Sequence, residues 1–388
     1  MGSLAGLRVA TPIRQRALAL LVIVGIASVV GLAFLSHAPN RLVSGAGVSL
    51  WQALGGAPSG MLMLVCLPVA VLMAAVFVPP TPRSARLVAV AAALSLTALL
   101  WIAGLHASAL ARSASPLART SFGAGFWLLA GLCALALAEA LKASRWPAMA
   151  QALTWLTACL PPVAMLASGH LADLSLLKEY ANRQDVFNAA LFRHVEIVAI
   201  TLIATLLIGV PLGAAAWRHA RLARPLFALL NLVQTVPSIA LFALLMAPLA
   251  GLGASGIGLV PAVIALTLYS LLPIVRSIEA GLGQVPASAI EAATGMGFTP
   301  RQRFWRIAVP LALPALLAGL RVCTVQAIGL AVVAALVGAG GLGAIVFQGL
   351  LGSALDLVLL GVLPVVALAV LADALFTLAA GFLPGPQP

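Results

Sequence analysis

The chain has 388 residues, of which 63% are hydrophobic and only 8% are charged. Soluble domains carry about 25% charged residues, so this composition excludes an ordinary soluble protein and indicates a polytopic membrane protein. The formal net charge of +12 comes without long runs of basic residues, so a nucleic-acid partner is not predicted.

Ten apolar windows are long enough to cross a bilayer as helices, because they run unbroken for about 20 residues instead of alternating over about 10, as barrel strands do. The sequence therefore predicts an all-α polytopic membrane protein with about ten transmembrane helices. The first window follows a basic start without a small-residue cleavage site, so we expect a retained span. The windows fall at residues 17–35, 60–78, 87–110, 122–141, 148–167, 195–217, 225–249, 257–278, 311–336 and 353–382.

Basic residues divide unequally between the two sets of loops that alternate along ten spans. Fourteen lie in one set and six in the other, so the positive-inside rule predicts that the richer set, both termini and residues 286–310 are cytoplasmic. The richer set is Arg8, Arg14, Arg16, Arg83, Arg86, Lys142, Arg145, Arg218, Arg221, Arg224, Arg276, Arg301, Arg303 and Arg306. The poorer set is Arg41, Arg112, Arg119, Lys178, Arg183 and Arg193.

The longest loop on the predicted outer side divides the chain into two unlike halves. Residues 1–167 are predicted to form about five additional N-terminal helices, residues 168–194 an extracytoplasmic loop, and residues 195–388 the functional half, which is richer in Pro, Gly, Gln, Asn and Thr. An inverted repeat would place matching broken helices in both halves. The prolines of the second half have no such counterparts, which counts against an ion-coupled secondary transporter of ten helices.

One polar segment, residues 286–310, interrupts the hydrophobic second half. Two capping boxes, Ser288–Glu291 and Thr299–Gln302, predict two short helices with Gly295 and Gly297 between them. Such a helix–glycine–helix elbow fits a groove on a soluble partner, with three arginines available for acidic groups of that partner or for anionic lipid. The alternative is an ordinary amphipathic helix at the membrane surface.

Six residues of the elbow follow a fixed spacing: Glu291, Ala292, Ala293, Gly297, Ile307 and Pro310. Three further stretches, residues 231–240, 265–276 and 337–343, are also distinctive. With these motifs, the chain from residue 186 onward resembles the permease subunits of binding-protein-dependent ABC importers. The stretches 231–240 and 265–276 point, more weakly, to the osmoprotectant group of these permeases, which takes up glycine betaine, choline and related compounds.

The resemblance implies a multi-pass protein of the bacterial inner (plasma) membrane whose last five helices form a type I ABC importer permease core. It implies that the six spaced residues are the coupling site for cytoplasmic ABC ATPase subunits. The other implied partners are a second permease subunit (the same chain or a shorter paralogue), an extracytoplasmic substrate-binding protein and membrane lipid. An amino-acid importer permease is the alternative within this class.

The sequence itself offers no means of hydrolysing ATP. A phosphate-binding loop ends in Lys followed by Ser or Thr, whereas Lys142 precedes Ala143 and Lys178 precedes Glu179. We therefore expect a transport subunit without catalytic residues, with ATP hydrolysis on a separate subunit. The glycines of residues 338–343 lack the context of a dinucleotide site and predict a tight turn or close packing. No cofactor or metal is predicted, because the cysteines lack ligand spacing and are interpreted as small buried residues: Cys66, Cys133, Cys159 and Cys323.

Polar residues inside the later spans are candidates for the translocation pathway, because each is costly in hydrocarbon unless it faces a polar environment. Four of them are spaced to share one helix face beside a kink at Pro237. They either line the pathway or make hydrogen bonds between helices, and a tyrosine on a later span lies either on the pathway or in the core. The candidates are Asn231, Gln234, Thr235, Ser238 and Tyr269.

Asp373 is a further polar residue within the last predicted span. Arg321, which lies inside another span, is the available buried base, so we hypothesise that the two side chains pair.

Overall fold

The structure, a computed structural model, describes residues 14–40, 43–55, 59–113, 115, 117–253 and 255–381. Within these residues the chain is mostly helical, with sixteen α-helices and three short β-strands. It divides into two compact units, Met1–Ala181 and Asn182–Pro388. Both chain termini, Arg8 and Arg41 lie outside the described residues. The cytoplasmic location of the termini therefore stays a prediction.

The first unit is a helical bundle with a small sheet at one end. Helix α4 lies at its centre and packs against α3, α5 and α6. Much of its buried surface is alanine, which allows neighbouring backbones to approach closely. The elements are α1 Arg16–Gly31, β1 Leu35–Ala38, β2 Ala46–Val48, α2 Leu50–Leu54, α3 Ser59–Ala75, α4 Pro82–Ser113, β3 Arg119–Phe122, α5 Ala124–Ala143, α6 Ala148–Ala167 and α7 Ser175–Asn182.

The three strands form one antiparallel sheet in the order β2-β1-β3, an element that the all-α prediction missed. In the central strand, Leu35 pairs with Val48 on one side and with Phe122 on the other, and Thr120 bridges to Leu174. The sheet thus joins the segments that follow α1, α4 and α6. Because successive predicted spans cross the membrane in alternating directions, these three segments are predicted to lie on the same side of the membrane.

The second unit contains the later spans and the polar elbow. Helices α9 and α10 are bent by 104° relative to each other, so the predicted window 225–249 is a broken helix. The elements are α8 Gln184–Arg218, α9 Ala220–Thr235, α10 Ser238–Gly251, α11 Leu259–Gly283, α12 Ala287–Gly295, α13 Pro300–Arg303, a π-helical turn Phe304–Ala308, α14 Val309–Leu330, a 3₁₀ turn Val333–Val337, α15 Leu342–Leu351 and α16 Leu355–Gly381.

The core of the second unit contains a close parallel packing of α8 against α11. A Cβ atom added at Gly209 would lie 2.4 Å from Cγ2 of Ile274, and one at Gly213 would lie 2.7 Å from Cβ of Ile278. Only glycine permits this approach, so small residues recur at every fourth position of α8, as in other membrane helix pairs. This small-residue series is Thr201, Thr205, Gly209 and Gly213.

Several sequence predictions differ from this fold. The predicted loop 168–194 is largely helical, because α7 lies within it and α8 begins at Gln184. Among the described residues, six helices are long and apolar enough to cross a membrane, or seven if the bent pair counts as one span, so ten spans are not confirmed. Helix α1, with 16 residues, is about 24 Å long, which is less than the roughly 30 Å of a hydrocarbon core.

The cysteines also differ from their predicted burial. Cys323 is buried, whereas Cys133 is half-buried and Cys66 and Cys159 are exposed; all four are free. Helices in a bilayer present apolar side chains outward as well as inward, so an apolar stretch does not by itself place a cysteine in the core.

Candidate coupling and pathway sites

The elbow turns between α12 and α13 through a Schellman motif. The Phe298 amide donates to the Ala293 carbonyl at 3.0 Å, and the Gly297 amide donates to the Thr294 carbonyl at 2.9 Å. Gly297 has φ +80°, a left-handed conformation that costs glycine little and other residues more. The predicted glycine break is therefore confirmed, and its position is set by Gly297.

One of the two predicted capping boxes is confirmed. At the start of α13, the Thr299 side chain accepts from the Gln302 amide at 3.3 Å, and the Gln302 side chain accepts from the Thr299 amide at 2.9 Å. The Ser288–Glu291 box is wrong, because α12 begins at Ala287 and Pro286 occupies the N-cap position without a side-chain hydrogen bond. Ser288 already lies in the first turn of the helix, two positions after the N-cap.

The six spaced residues fall into two groups in the structure. Ala293 is fully buried, Ile307 is half-buried, and Gly297 sets the turn. Pro310 lies where the π-helical turn continues into α14, and it removes one backbone hydrogen bond from this continuous helix. By contrast, Glu291 and Ala292 are exposed on α12. Four positions therefore build the elbow, and two present a surface.

Arg303 joins the two arms of the elbow, which the sequence did not predict. Its guanidinium donates to the Thr294 hydroxyl at 2.6 Å, and that hydroxyl donates to the Ile290 carbonyl at 2.7 Å. Arg301 and Arg306 are exposed. Of the three arginines predicted to face a partner or lipid, Arg303 is thus engaged within the elbow.

An aromatic and cationic contact fixes the elbow against α8. The Arg218 guanidinium lies 5.2 Å from the centre of the Phe304 ring, and the Trp217 and Phe304 rings lie 6.2 Å apart. Cation–π contacts of this geometry contribute about 0.5–1 kcal/mol at exposed sites. These contacts therefore join the elbow to the end of α8.

The break between α9 and α10 is held by two hydrogen bonds to α11. The Gln234 amide donates to the Tyr269 carbonyl at 2.7 Å, and the Tyr269 hydroxyl donates to the carbonyl of Val236, inside the break. Tyr269 is 6% exposed. The predicted opening of the helix at Pro237 is confirmed. Gln234 makes an interhelical hydrogen bond, and its predicted pathway role stays a prediction.

The remaining pathway candidates do not share one continuous helix face. Thr235 is the last residue of α9 and Ser238 the first of α10, so the 104° bend separates them. Asn231 and Thr235 are exposed and Ser238 is half-buried. A pathway role for these three residues and for Tyr269 stays a prediction.

The hypothesised pair of Arg321 and Asp373 is confirmed. Arg321 donates from Nε to Oδ1 at 2.5 Å and from Nη2 to Oδ2 at 2.7 Å. This bidentate contact joins α14 to α16, and parallel N–H···O bonds of this kind are strong and directional.

The glycine-rich segment makes the predicted tight turn before α15. Gly338, Gly340 and Gly341 all have positive φ. A Cβ atom at Gly343 would lie 2.0 Å from the Val332 carbonyl oxygen, so close packing is also confirmed. The Arg193 side chain donates to the Ala339 carbonyl at 3.1 Å and thereby fixes the turn to α8.

Sequence reasoning missed a set of buried hydroxyls in the second unit. All four are at most 5% exposed and their hydroxyl oxygens have no hydrogen-bond partner in the structure. They lie on α8 and α11, and the i, i+4 spacing on α8 was the available signal. They are Thr201, Thr205, Thr267 and Ser270. In the described part of the chain, no three His, Cys, Asp or Glu side chains are grouped to hold a metal.

Two family models match the chain. Residues 205–381 match the family described as "Binding-protein-dependent transport system inner membrane component". Residues 14–177 match "ABC transporter permease YehY, N-terminal domain", a part of the chain outside the resemblance that begins at residue 186.

Similar curated proteins are also permeases. The osmoprotectant import permease protein OsmW of Salmonella typhimurium is 43% identical over 182 residues, which cover 47% of this chain and 84% of that protein. The choline transport system permease protein OpuBB of Bacillus subtilis is 36% identical, covering 47% of this chain and 81% of that protein. Among solved structures, an inward-facing MetNI methionine ABC transporter is 24% identical with a TM-score of 0.49, covering 53% of this chain and 99% of that one.

Proposed function

We propose that this chain, which belongs to the binding-protein-dependent inner membrane component family and is the permease subunit of an ABC importer, carries an osmoprotectant such as glycine betaine or choline. The substrate class is supported by the names of the similar proteins, which include an osmoprotectant import permease and a choline transport permease. The match to the family places the chain in the inner membrane as a multi-pass protein.

The site of energy coupling is the elbow, with cytoplasmic ATPase subunits docking on α12. The observation that carries this proposal is the exposure of Glu291 and Ala292 on a helix whose other motif positions are used for folding. The Schellman turn, the Thr299 cap and the Arg303 contact hold α12 in place. A rigid elbow transmits closure of the ATPase dimer to the membrane helices as a rigid-body movement.

The pathway lies between two permease cores, each formed by residues 195–388, from two copies of this chain or from one copy and a shorter paralogue. The exposed Asn231 and Thr235 at the helix break contribute polar groups to it. An extracytoplasmic binding protein delivers the substrate and provides most of the specificity, because aromatic cages for quaternary ammonium groups belong to such proteins. Residues 1–167 add about five helices, both termini are cytoplasmic, and residues 168–194 face outward.

Substitution of Glu291 tests the coupling site. The purified permease is reconstituted with its ATPase and binding protein, and Glu291→Ala is compared with Glu139→Ala. Glu139 is a matched control, because it is an exposed glutamate on the same predicted side with its side chain 67% exposed. Uptake and the stimulation of ATP hydrolysis should both fall in Glu291→Ala. Neither should fall in Glu139→Ala.

Two outcomes discriminate the alternatives. Unchanged uptake in Glu291→Ala, with loss of uptake on collapsing the ion gradient, identifies a secondary transporter and contradicts the proposal. If amino acids compete with uptake but glycine betaine and choline do not, the protein is an amino-acid importer. In that case the proposed substrate is wrong and the proposed coupling site still stands.

A further inference from the structure

We propose that the first unit holds one acyl chain of a membrane phospholipid in a cavity lined by α1, α2, α3, α4 and α5. The cavity has a volume of about 470 Å³, which lies within the range of roughly 300–1,000 Å³ found for ligand pockets.

The wall of this cavity is hydrocarbon on all sides. Its lining residues include no charged side chain, and the polar atoms that reach it are few. The hydroxyl oxygen of Ser95 has almost no accessible surface, so the wall presents little that would recognise a charged or hydrogen-bonding solute. Representative lining residues are Leu18, Val29, Cys66, Met73, Ser95 and Ala136.

The length of the cavity matches one leaflet of a bilayer. Along α1 the lining runs from Leu18 to Val30, a distance of about 18 Å at 1.5 Å per residue. The hydrocarbon core is about 30 Å thick, so the cavity spans slightly more than half of it. An extended acyl chain has this length and needs no polar partner along its course.

One end of the cavity is closed by α2, at the end of the unit that carries the sheet. Leu50, Trp51 and Leu54 contribute to the lining there, and Trp51 is 66% exposed. Tryptophan is enriched where hydrocarbon meets the headgroup region. A lipid whose acyl chain enters beside Trp51 therefore keeps its headgroup at the surface of the predicted outer leaflet.

Photo-crosslinking of a defined lipid tests the proposal. The full-length protein is reconstituted in vesicles of phosphatidylethanolamine and phosphatidylglycerol that contain a trace of phosphatidylethanolamine with a diazirine on its acyl chain. Adducts are mapped by mass spectrometry. We expect adducts on lining residues such as Val69 to exceed those on Leu135, which is 57% exposed and lies outside the lining.

A glycine pair supplies the matched variants. A Cβ atom at Gly25, in the lining, would meet only the ends of Leu132 and Leu129 at 3.7 and 3.8 Å, whereas one at Gly131 would meet nothing within 4 Å. Gly25→Phe should therefore fill the cavity and reduce its adducts at least five-fold without changing those on Leu135. Gly131→Phe, outside the lining, should change neither.

Three results would overturn the proposal. They are equal labelling of lining residues and Leu135, cavity adducts that persist in a well-folded Gly25→Phe variant, and a lack of lipid adducts on the lining residues. Size-exclusion chromatography reports whether the variant is folded. If Gly25→Phe aggregates, Val69→Trp fills the cavity from α3 and Val90→Trp, on α4 outside the lining, is its control.

Discussion

Replacing Gly297 by alanine should uncouple ATP hydrolysis from transport through a backbone effect alone. Gly297 has φ +80°, and a Cβ atom there would meet nothing within 4 Å, so the substitution creates no clash. The remaining cost is the left-handed conformation itself, about 1–2 kcal/mol for a residue with a Cβ atom. That energy corresponds to a roughly 5–30-fold larger fraction of elbows with an open turn.

Gly295→Ala is the control for this effect. Gly295 also has free space around an added Cβ atom, but its φ is not positive and it lies in α12. Alanine there should stabilise the helix by about 1 kcal/mol. Gly297→Asn should retain more coupling than Gly297→Ala, because asparagine tolerates the left-handed conformation better.

The assay is the ATPase activity of the reconstituted importer with and without loaded binding protein, together with hydrogen exchange across residues 287–303. The reasoning predicts faster exchange and weaker stimulation in Gly297→Ala and neither change in Gly295→Ala. If Gly295→Ala is as damaging as Gly297→Ala, added bulk at the docking surface, and not the turn, limits coupling. That result would refute the backbone account.

Four further substitutions test three contacts within the second unit. Asp373→Arg or Arg321→Asp should each lower the yield of folded protein, because each places two like charges where the bidentate ion pair now joins α14 to α16; the double exchange should restore the yield, and failure to do so would contradict the contact. Gly213→Leu should overpack the α8–α11 contact by about 1–3 kcal/mol and lower the melting temperature, whereas Gly131→Leu, with nothing within 4 Å, should not. Tyr269→Phe removes one hydrogen bond at the helix break, about 1 kcal/mol, and should speed hydrogen exchange at residues 234–240; unchanged exchange would show that the break does not need it.

Helix positions followed from the sequence because a long apolar stretch in a bilayer has few alternatives to a helix. The sheet of β1, β2 and β3 was missed because its strands have three or four residues, too few for an alternating pattern to be recognised. The start of α8 was also missed, because its first turns carry polar side chains outside the apolar window. Hydropathy locates the membrane part of a helix and not its ends.

The elbow shows the same division between local and distant determinants. The Thr299 cap and the Gly297 turn were predictable, because each depends on residues within a few positions along the chain. The false cap at Ser288 arose from a correct spacing next to Pro286, which starts the helix earlier. Other contacts depend on how separate helices meet, which local patterns along one sequence do not show. These contacts are the Arg303–Thr294 hydrogen bond and the hydrogen bonds of Gln234 and Tyr269.

The fixed spacing of the coupling motif is explained by the two groups of residues that it contains. Ala293 is fully buried, Gly297 has positive φ, and Pro310 lies where the π-helical turn continues into α14; substitutions at these positions change the shape of the elbow. Glu291 and Ala292 leave that shape unchanged because they are exposed on α12. Recognition of a particular ATPase therefore depends on the exposed residues of the elbow, while the buried ones fix where that surface is held.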